Sequence, residues 1–142
     1  YLLDGDRVRR GLSQELGDDA AARRENGRRV GEVAALFADA GRIAIVALIS
    51  PYRAGRAAAR EAAGPERFIE VHIATPLAEC ERRDPRGLYK KARQGEITEF
   101  TGIDSPYEAP LDPDLRIDTR QESVQGAIEG IHACLAAKGI LT

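Results

Sequence analysis

Two apolar runs constrain this chain more than anything else in it. Residues 42–49 (RIAIVALI) and 67–74 (RFIEVHIA) are each long enough for one strand, and the first is apolar almost throughout. A strand reads as a continuous apolar run when both its faces are covered, as in a parallel sheet flanked by helices. Each run is followed by a cap-plus-proline pair, Ser50-Pro51 and Thr75-Pro76, that suits the start of a helix. The same alternation continues outside these runs. Residues 1–3 read as the end of a buried strand, with Asp4-Gly5-Asp6 as a turn behind it. Asp18 or Asp19 N-caps a helix to about Ala40, with Val30, Val33, Phe37 and Ala40 at helical spacing on one face and Gly41 at its C-cap. Residues 88–94 predict a short helix and 115–118 a short strand, and Thr119-x-x-Glu122 predicts a capping box for a last helix ending near Gly139. The expected fold class is α/β, three layers around a mainly parallel sheet, with ligands at the carboxyl ends of the strands.

A chain of 142 residues holds one domain or part of one, and 43% apolar residues suffice for a core. A net charge of −2 supplies no basic field, so neither nucleic acid nor an anionic membrane surface is an expected partner. No apolar run reaches the roughly 18–20 residues that span a bilayer. Cys80 and Cys134 are too few and too far apart for a metal site or a disulfide framework, so both are expected to pack as small apolar residues in a reducing, cytoplasmic setting. His72 and His132 are read as structural.

Several constellations carry chemistry. Asp4 and Asp6 flank a glycine at a strand's carboxyl end, where two carboxylates can hold Mg²⁺ through water and accept a proton from an attacking hydroxyl. Read alone, Asp-Gly is more often a plain turn. Arg23 and Asn26 share a helix face one turn apart and offer a fork for anionic oxygens and a donor–acceptor pair for a base or sugar. The bland reading is a solvated, salt-bridged face. Ser50, after Ile49, presents a hydroxyl at the end of the central strand, or simply caps a helix. Residues 80–93 hold Arg82, Arg83, Lys90 and Arg93, which suit a lid that neutralises polyphosphate, or a basic surface helix. Residues 90–110 (KKARQGEITEFTGIDSPYEAP) form a long segment in which Phe100 stands alone among polar and glycine residues, an arrangement suited to stacking on a base.

Taken in order, DGDxxRxGL, RxENxRR, ISPYR, RDPxGLYxKAR and FTGID resemble the motifs of the adenylylsulfate (APS) kinase family. The family implies a P-loop NTPase-like fold, ATP as co-substrate, Mg²⁺, and transfer of the γ-phosphoryl group of ATP to the 3′-hydroxyl of APS, giving PAPS for sulfate assimilation. By this resemblance Asp6 is the general base and is linked to Mg²⁺, and Arg9, Arg23 and Asn26 contact APS. Ile49 and Ser50 line the substrate site, Ser50 matching a serine that can carry a phosphate. Phe100 stacks on the adenine of APS; Lys90 and Arg93 belong to the lid, with Arg82 and Arg83 towards ATP. Arg7 stands where the family usually has Asn, and Asp18 where it often has an aromatic residue. Family members often dimerise, and fusion to or association with ATP sulfurylase is a further implied arrangement.

The resemblance also implies a P-loop, GxxxxGK[ST], whose backbone amides cradle phosphates. None of the 142 residues forms one. The expectation is therefore a single kinase domain over residues 1–142, N-terminally incomplete, lacking its first strand–loop–helix unit and inactive as it stands. An edge left unpaired in this way makes the isolated chain marginal or aggregation-prone. Two alternatives stay open: a non-catalytic APS-binding or scaffolding remnant, and a P-loop kinase for another small alcohol.

Overall fold

The computed structural model describes residues 1–141 and comprises two compact units, Tyr1–Phe68 and a second starting at Ile69. Among the described residues the first unit runs β1 (Leu2–Asp4), α1 (Gly5–Arg10), α2 (Ala20–Asp39), β2 (Ile45–Ala47) and α3 (Arg53–Ala63). The second runs β3 (Val71–Ile73), α4 (Leu77–Arg83), α5 (Leu88–Arg93), β4 (Leu115–Ile117) and α6 (Val124–Ala137). No described helix is long and apolar enough to cross a membrane.

In the first unit β1 and β2 pair in parallel, Leu2 opposite Ile45, Leu3 opposite Val46 and Asp4 opposite Ala47. Parallel neighbours need a long crossover, which α2 supplies. Asp19 caps α2 by accepting a hydrogen bond from the Ala22 amide at 2.8 Å, and the chain leaves the helix through Gly41 at φ +71°. The apolar spacing read from the sequence turns α2 inward. Val30 is 1% exposed and forms a core with Leu3 and Val8, against which Val33, Ala34, Phe37 and Leu48 pack. Burying a side chain of Val30's size contributes about 1.5–3 kcal/mol. The other flank of α2 lies along α3 so closely that a Cβ on Gly31 would stand 3.1 Å from Ala59 Cβ.

In the second unit β3 and β4 are also parallel, His72 opposite Arg116 and Ile73 opposite buried Ile117. Helix α6 packs on β4, its Gly130 facing the Leu115 side chain. Ser123 caps α6 by accepting from the Gly126 amide at 3.0 Å.

Several boundaries depart from the expected ones. Asp4-Gly5-Asp6 is not a turn: Asp4 closes β1 and accepts the Arg7 amide at 3.1 Å, so α1 starts at Gly5. The strands expected over 42–49 and 67–74 shrink to Ile45–Ala47 and Val71–Ile73. Nor is β2 covered on both faces. Among the described residues it pairs only with β1, and Ile45 and Val46 stay 60% and 41% exposed. Ser50 does not cap α3: it holds φ +45°, and the helix begins at Arg53 with Tyr52 at its cap. Thr75 and Thr119 are not caps either. Their hydroxyls bond each other at 2.7 Å, and Arg83 donates to Thr119 Oγ1 at 2.7 Å. With Thr119 committed to that cross-link, α6 starts only at Val124. Cys80 and Cys134 are half-buried, each donating weakly to a carbonyl, Thr75 and Asp114 respectively.

Candidate functional site

The parallel register puts the carboxyl ends of β1 and β2 side by side, Asp4 against Ala47. Asp6, in the first turn of α1, and Ile49-Ser50, just past β2, thus lie beyond the same strand ends. Glycine at position 5 is set by close approach and not by a turn, since a Cβ there would meet Leu48 Cδ2 at 3.0 Å and the Ala47 carbonyl at 3.3 Å. The Asp4 carboxylate is committed to capping α1, whereas Asp6 is exposed. Ile49 is exposed, and the Ser50 carbonyl accepts from Arg56 Nη1 at 2.7 Å, which anchors the strained residue.

Three residues from the predicted APS set gather around the loop between α1 and α2. Arg9 Nη1 donates to the Leu16 and Gly17 carbonyls at 3.3 and 2.7 Å, and Arg23 Nε donates to the Asp18 carbonyl at 2.7 Å. One turn along α2 from Arg23, Asn26 is only 6% exposed, and its Oδ1 has no hydrogen-bond partner among the described residues. Leaving a buried acceptor unpaired costs about 1–3 kcal/mol, so natural proteins keep few of them. Ser13 shares the property, with a fully buried, unpartnered hydroxyl. Sequence reading passed over Ser13, which carries no local signal in a polar run.

The remaining charges of the RxENxRR motif serve one another. Glu25 accepts from Arg28 at 2.8 and 2.9 Å and from Arg29 at 2.9 Å. The Arg28 hydrogen bonds, then the one from Arg29, bring its carboxyl from the ordinary 4.5 down to about 2. Arg29 also reaches the Leu12 carbonyl at 2.8 Å and Glu15, tying the α1–α2 loop to α2.

In the second unit the expected lid cations all lie on α4 and α5. Arg82 and Arg83 both bind Glu79, whose carboxyl is held at about 2, first by Arg82. Arg93 clasps Glu81 through two bonds at 3.0 and 2.7 Å and so joins α5 to α4. Exposed pairs of this kind are screened by solvent and contribute little, so an anion can displace the carboxylates at little cost. Lys90 is exposed at the side chain, and its amide, with that of Tyr89, donates to Asp84, the residue that turns α4 into α5 at φ +23°. Phe100 is half-buried and meets Tyr89 edge to face with ring centroids 5.1 Å apart. Its amide donates to Asp104. Sequence reading missed Tyr89 and Asp104, although an Asp four residues after the aromatic in a glycine-containing loop is a recognisable signal for a side-chain-closed turn. No group of three or more His, Cys, Asp or Glu among the described residues is placed to hold a metal.

The chain as a whole is similar to known proteins. The adenylylsulphate kinase family model matches residues 1–118, a span that includes every candidate residue named above. An adenylyl-sulfate kinase of Geotalea daltonii is 50% identical over 141 residues, covering 99% of this chain and 70% of the relative. A probable adenylyl-sulfate kinase of Halalkalibacterium halodurans is 54% identical over 138 residues, covering 97% and 68%. Among solved structures, the Mycobacterium tuberculosis APS kinase in complex with AMPPNP and APS superimposes with a TM-score of 0.91 at 48% identity, covering 96% of this chain and 79% of that one. A hexameric APS kinase from Thiobacillus denitrificans gives 0.73 at 35% identity, covering 100% and 23%. The expected fold class, parallel α/β of the P-loop NTPase type, is thereby met. Matched in sequence over nearly its whole length, the chain belongs to the adenylylsulfate kinase family of enzymes.

Proposed function

We propose that this chain carries the APS-binding half of the reaction in which ATP phosphorylates the 3′-hydroxyl of APS, giving PAPS and ADP. The observation that carries the reading is the 54% identity over 138 residues to a probable adenylyl-sulfate kinase. The unpaired Oδ1 of buried Asn26 supports it locally, because a ligand N–H or O–H would satisfy that atom. Arg9 and Arg23 would hold the phosphosulfate, each exchanging a neutral carbonyl acceptor for a charged one, which roughly doubles the strength of a hydrogen bond. Phe100 would stack on the adenine.

In the transfer, the 3′-oxygen forms a bond to the γ-phosphorus as the bond to the β-bridging oxygen breaks. Asp6 takes the hydroxyl proton and ADP leaves. Lys90, Arg93, Arg82 and Arg83 would neutralise the phosphates. Most of the work in such a transfer is positioning and charge stabilisation. Mg²⁺ keeps several waters and binds through one or two carboxylates, which fits the exposed Asp6 better than a caged site; bound there, it would supply charge neutralisation at the phosphates. Ser50 lines the substrate site, and direct transfer needs no covalent intermediate on it. A cytoplasmic enzyme, assembled as a homodimer or other oligomer and associated with ATP sulfurylase, completes the reading.

No GxxxxGK[ST] occurs in the 142 residues, so transfer requires a phosphate-cradling element in addition to them. The test is APS-dependent ADP release from Mg-ATP, for the chain alone and for the chain joined behind a P-loop unit. Turnover only in the joined protein supports the proposal. No turnover in either, with APS still bound, would replace it with the non-catalytic reading. Turnover of another alcohol without APS would replace it with a kinase of different substrate.

A further inference from the structure

The turn that carries Phe100 is built around one carboxylate. Asp104 Oδ1 accepts from the Phe100 amide at 2.6 Å and Oδ2 from the Glu99 amide at 2.8 Å. The Phe100 carbonyl in turn accepts from the amides of Ile103, Asp104 and Ser105 at 3.0–3.2 Å. Gly102, at φ +89°, closes the turn by donating to the Ser105 carbonyl at 2.8 Å. Glu99 sits at φ +58°, a left-handed conformation that an L side chain holds only when something fixes it. Its amide is one of the two that Asp104 binds, so the carboxylate fixes that conformation. Charge-assisted bonds of this length are the strong kind. The backbone on both sides of the Phe100 Cα is therefore anchored, and Tyr89 packs against the ring, leaving the ring orientation little freedom.

We infer that Asp104 is a positioning residue that sets the direction of the Phe100 ring for stacking on the purine of APS. This rests on the assignment of Phe100 to the adenine given above. The free energy comes from preorganisation: a ring already held in its bound orientation does not lose rotational freedom when the nucleotide arrives. Asp104 itself touches no ligand.

The test is a double-mutant cycle in the full chain with APS as the titrated ligand, combined with amide hydrogen exchange. Asp104→Ala is expected to speed exchange at the Glu99 and Phe100 amides. It should also weaken APS binding about tenfold, the equivalent of about 1.4 kcal/mol. Asp104→Asn keeps one acceptor oxygen and should recover part of both. Phe100→Ala alone should weaken binding at least as much, and adding Asp104→Ala to it should cost nothing further, which is non-additivity through a shared partner. A purely structural carboxylate would give an additive loss, and that result overturns the proposal. So would unchanged exchange, or wild-type affinity in Asp104→Ala while Phe100→Ala is weakened. If Phe100→Ala binds APS as the wild type does, the adenine assignment itself fails and takes the inference with it, a pattern distinct from the others.

Discussion

Replacing Asn26 by Leu should stabilise the chain while weakening its affinity for APS. Asn26 lies inside α2, 6% exposed, with Oδ1 unpaired. Deleting an orphaned buried acceptor recovers about 1–3 kcal/mol. Leu is also the better helix former by a few tenths of a kcal/mol. Leu keeps the branched outline of Asn but carries bulkier methyl groups, so repacking takes back about 1 kcal/mol of that gain. The balance is about +1 kcal/mol, which for a chain of this size moves Tm upward by roughly 2–6 °C. Binding should move the other way. A substrate group that met Oδ1 would instead face a methyl, and loss of one such bond weakens APS about tenfold or more. Circular dichroism melts, paired with calorimetric titration of APS, read both quantities on the same preparations. A lowered Tm with APS affinity intact would show that the Asn26 amide serves the fold and not a ligand, and the reasoning would be refuted.

Other expectations concern packing, backbone and charge. Gly31→Leu, facing Ala59 at 3.1 Å, should destabilise by about 1–3 kcal/mol through overpacking between α2 and α3, seen as a lower urea midpoint. Ser50→Gly relieves the left-handed strain at φ +45° and should leave stability unchanged or raise it by up to about 1 kcal/mol, measured by the same unfolding curves. Glu25 and Glu79 have carboxyls lowered from the ordinary 4.5 to about 2, and Asp118 from 3.8 to about 2, the last chiefly by Arg120. Groups depressed in this way contribute stability that is complete above their ordinary values and is lost as pH falls through the native ones. Unfolding midpoints should therefore be level above pH 5.5 or so and decline between about 4.5 and 2; Glu79→Gln should flatten part of that decline.

How far the sequence reveals this molecule depends on the range of the interactions involved. The α2 helix was legible because its cap, its apolar face and its glycine stop are all local, and Asp19, Val30 and Gly41 do what their spacing implies. Thr75 and Thr119 misled for the opposite reason: each heads a plausible cap, yet the hydroxyls are spent on each other across 44 residues, which no local pattern shows. The apolar run at 42–49 gave a strand too long, because a strand's length is set by its partners and β2 pairs over three residues only. In the candidate site, residue types were legible and partnerships were not. Arg82, Arg83 and Arg93 read as lid cations, but their carboxylate partners Glu79 and Glu81 emerged only once α4 and α5 were in place. Ser13 was invisible because burial of a hydroxyl leaves no trace in its neighbours' identities.

The central claim is that this chain binds APS, and that Asn26 of α2 and Phe100 of the second unit each contribute to the affinity. Calorimetric titration of the chain with APS tests it most directly. The account predicts one saturable site per chain, weakened about tenfold or more by Asn26→Leu and by Phe100→Ala. Saturable binding that neither substitution alters, or no binding by a chain whose melt shows it folded, would contradict it.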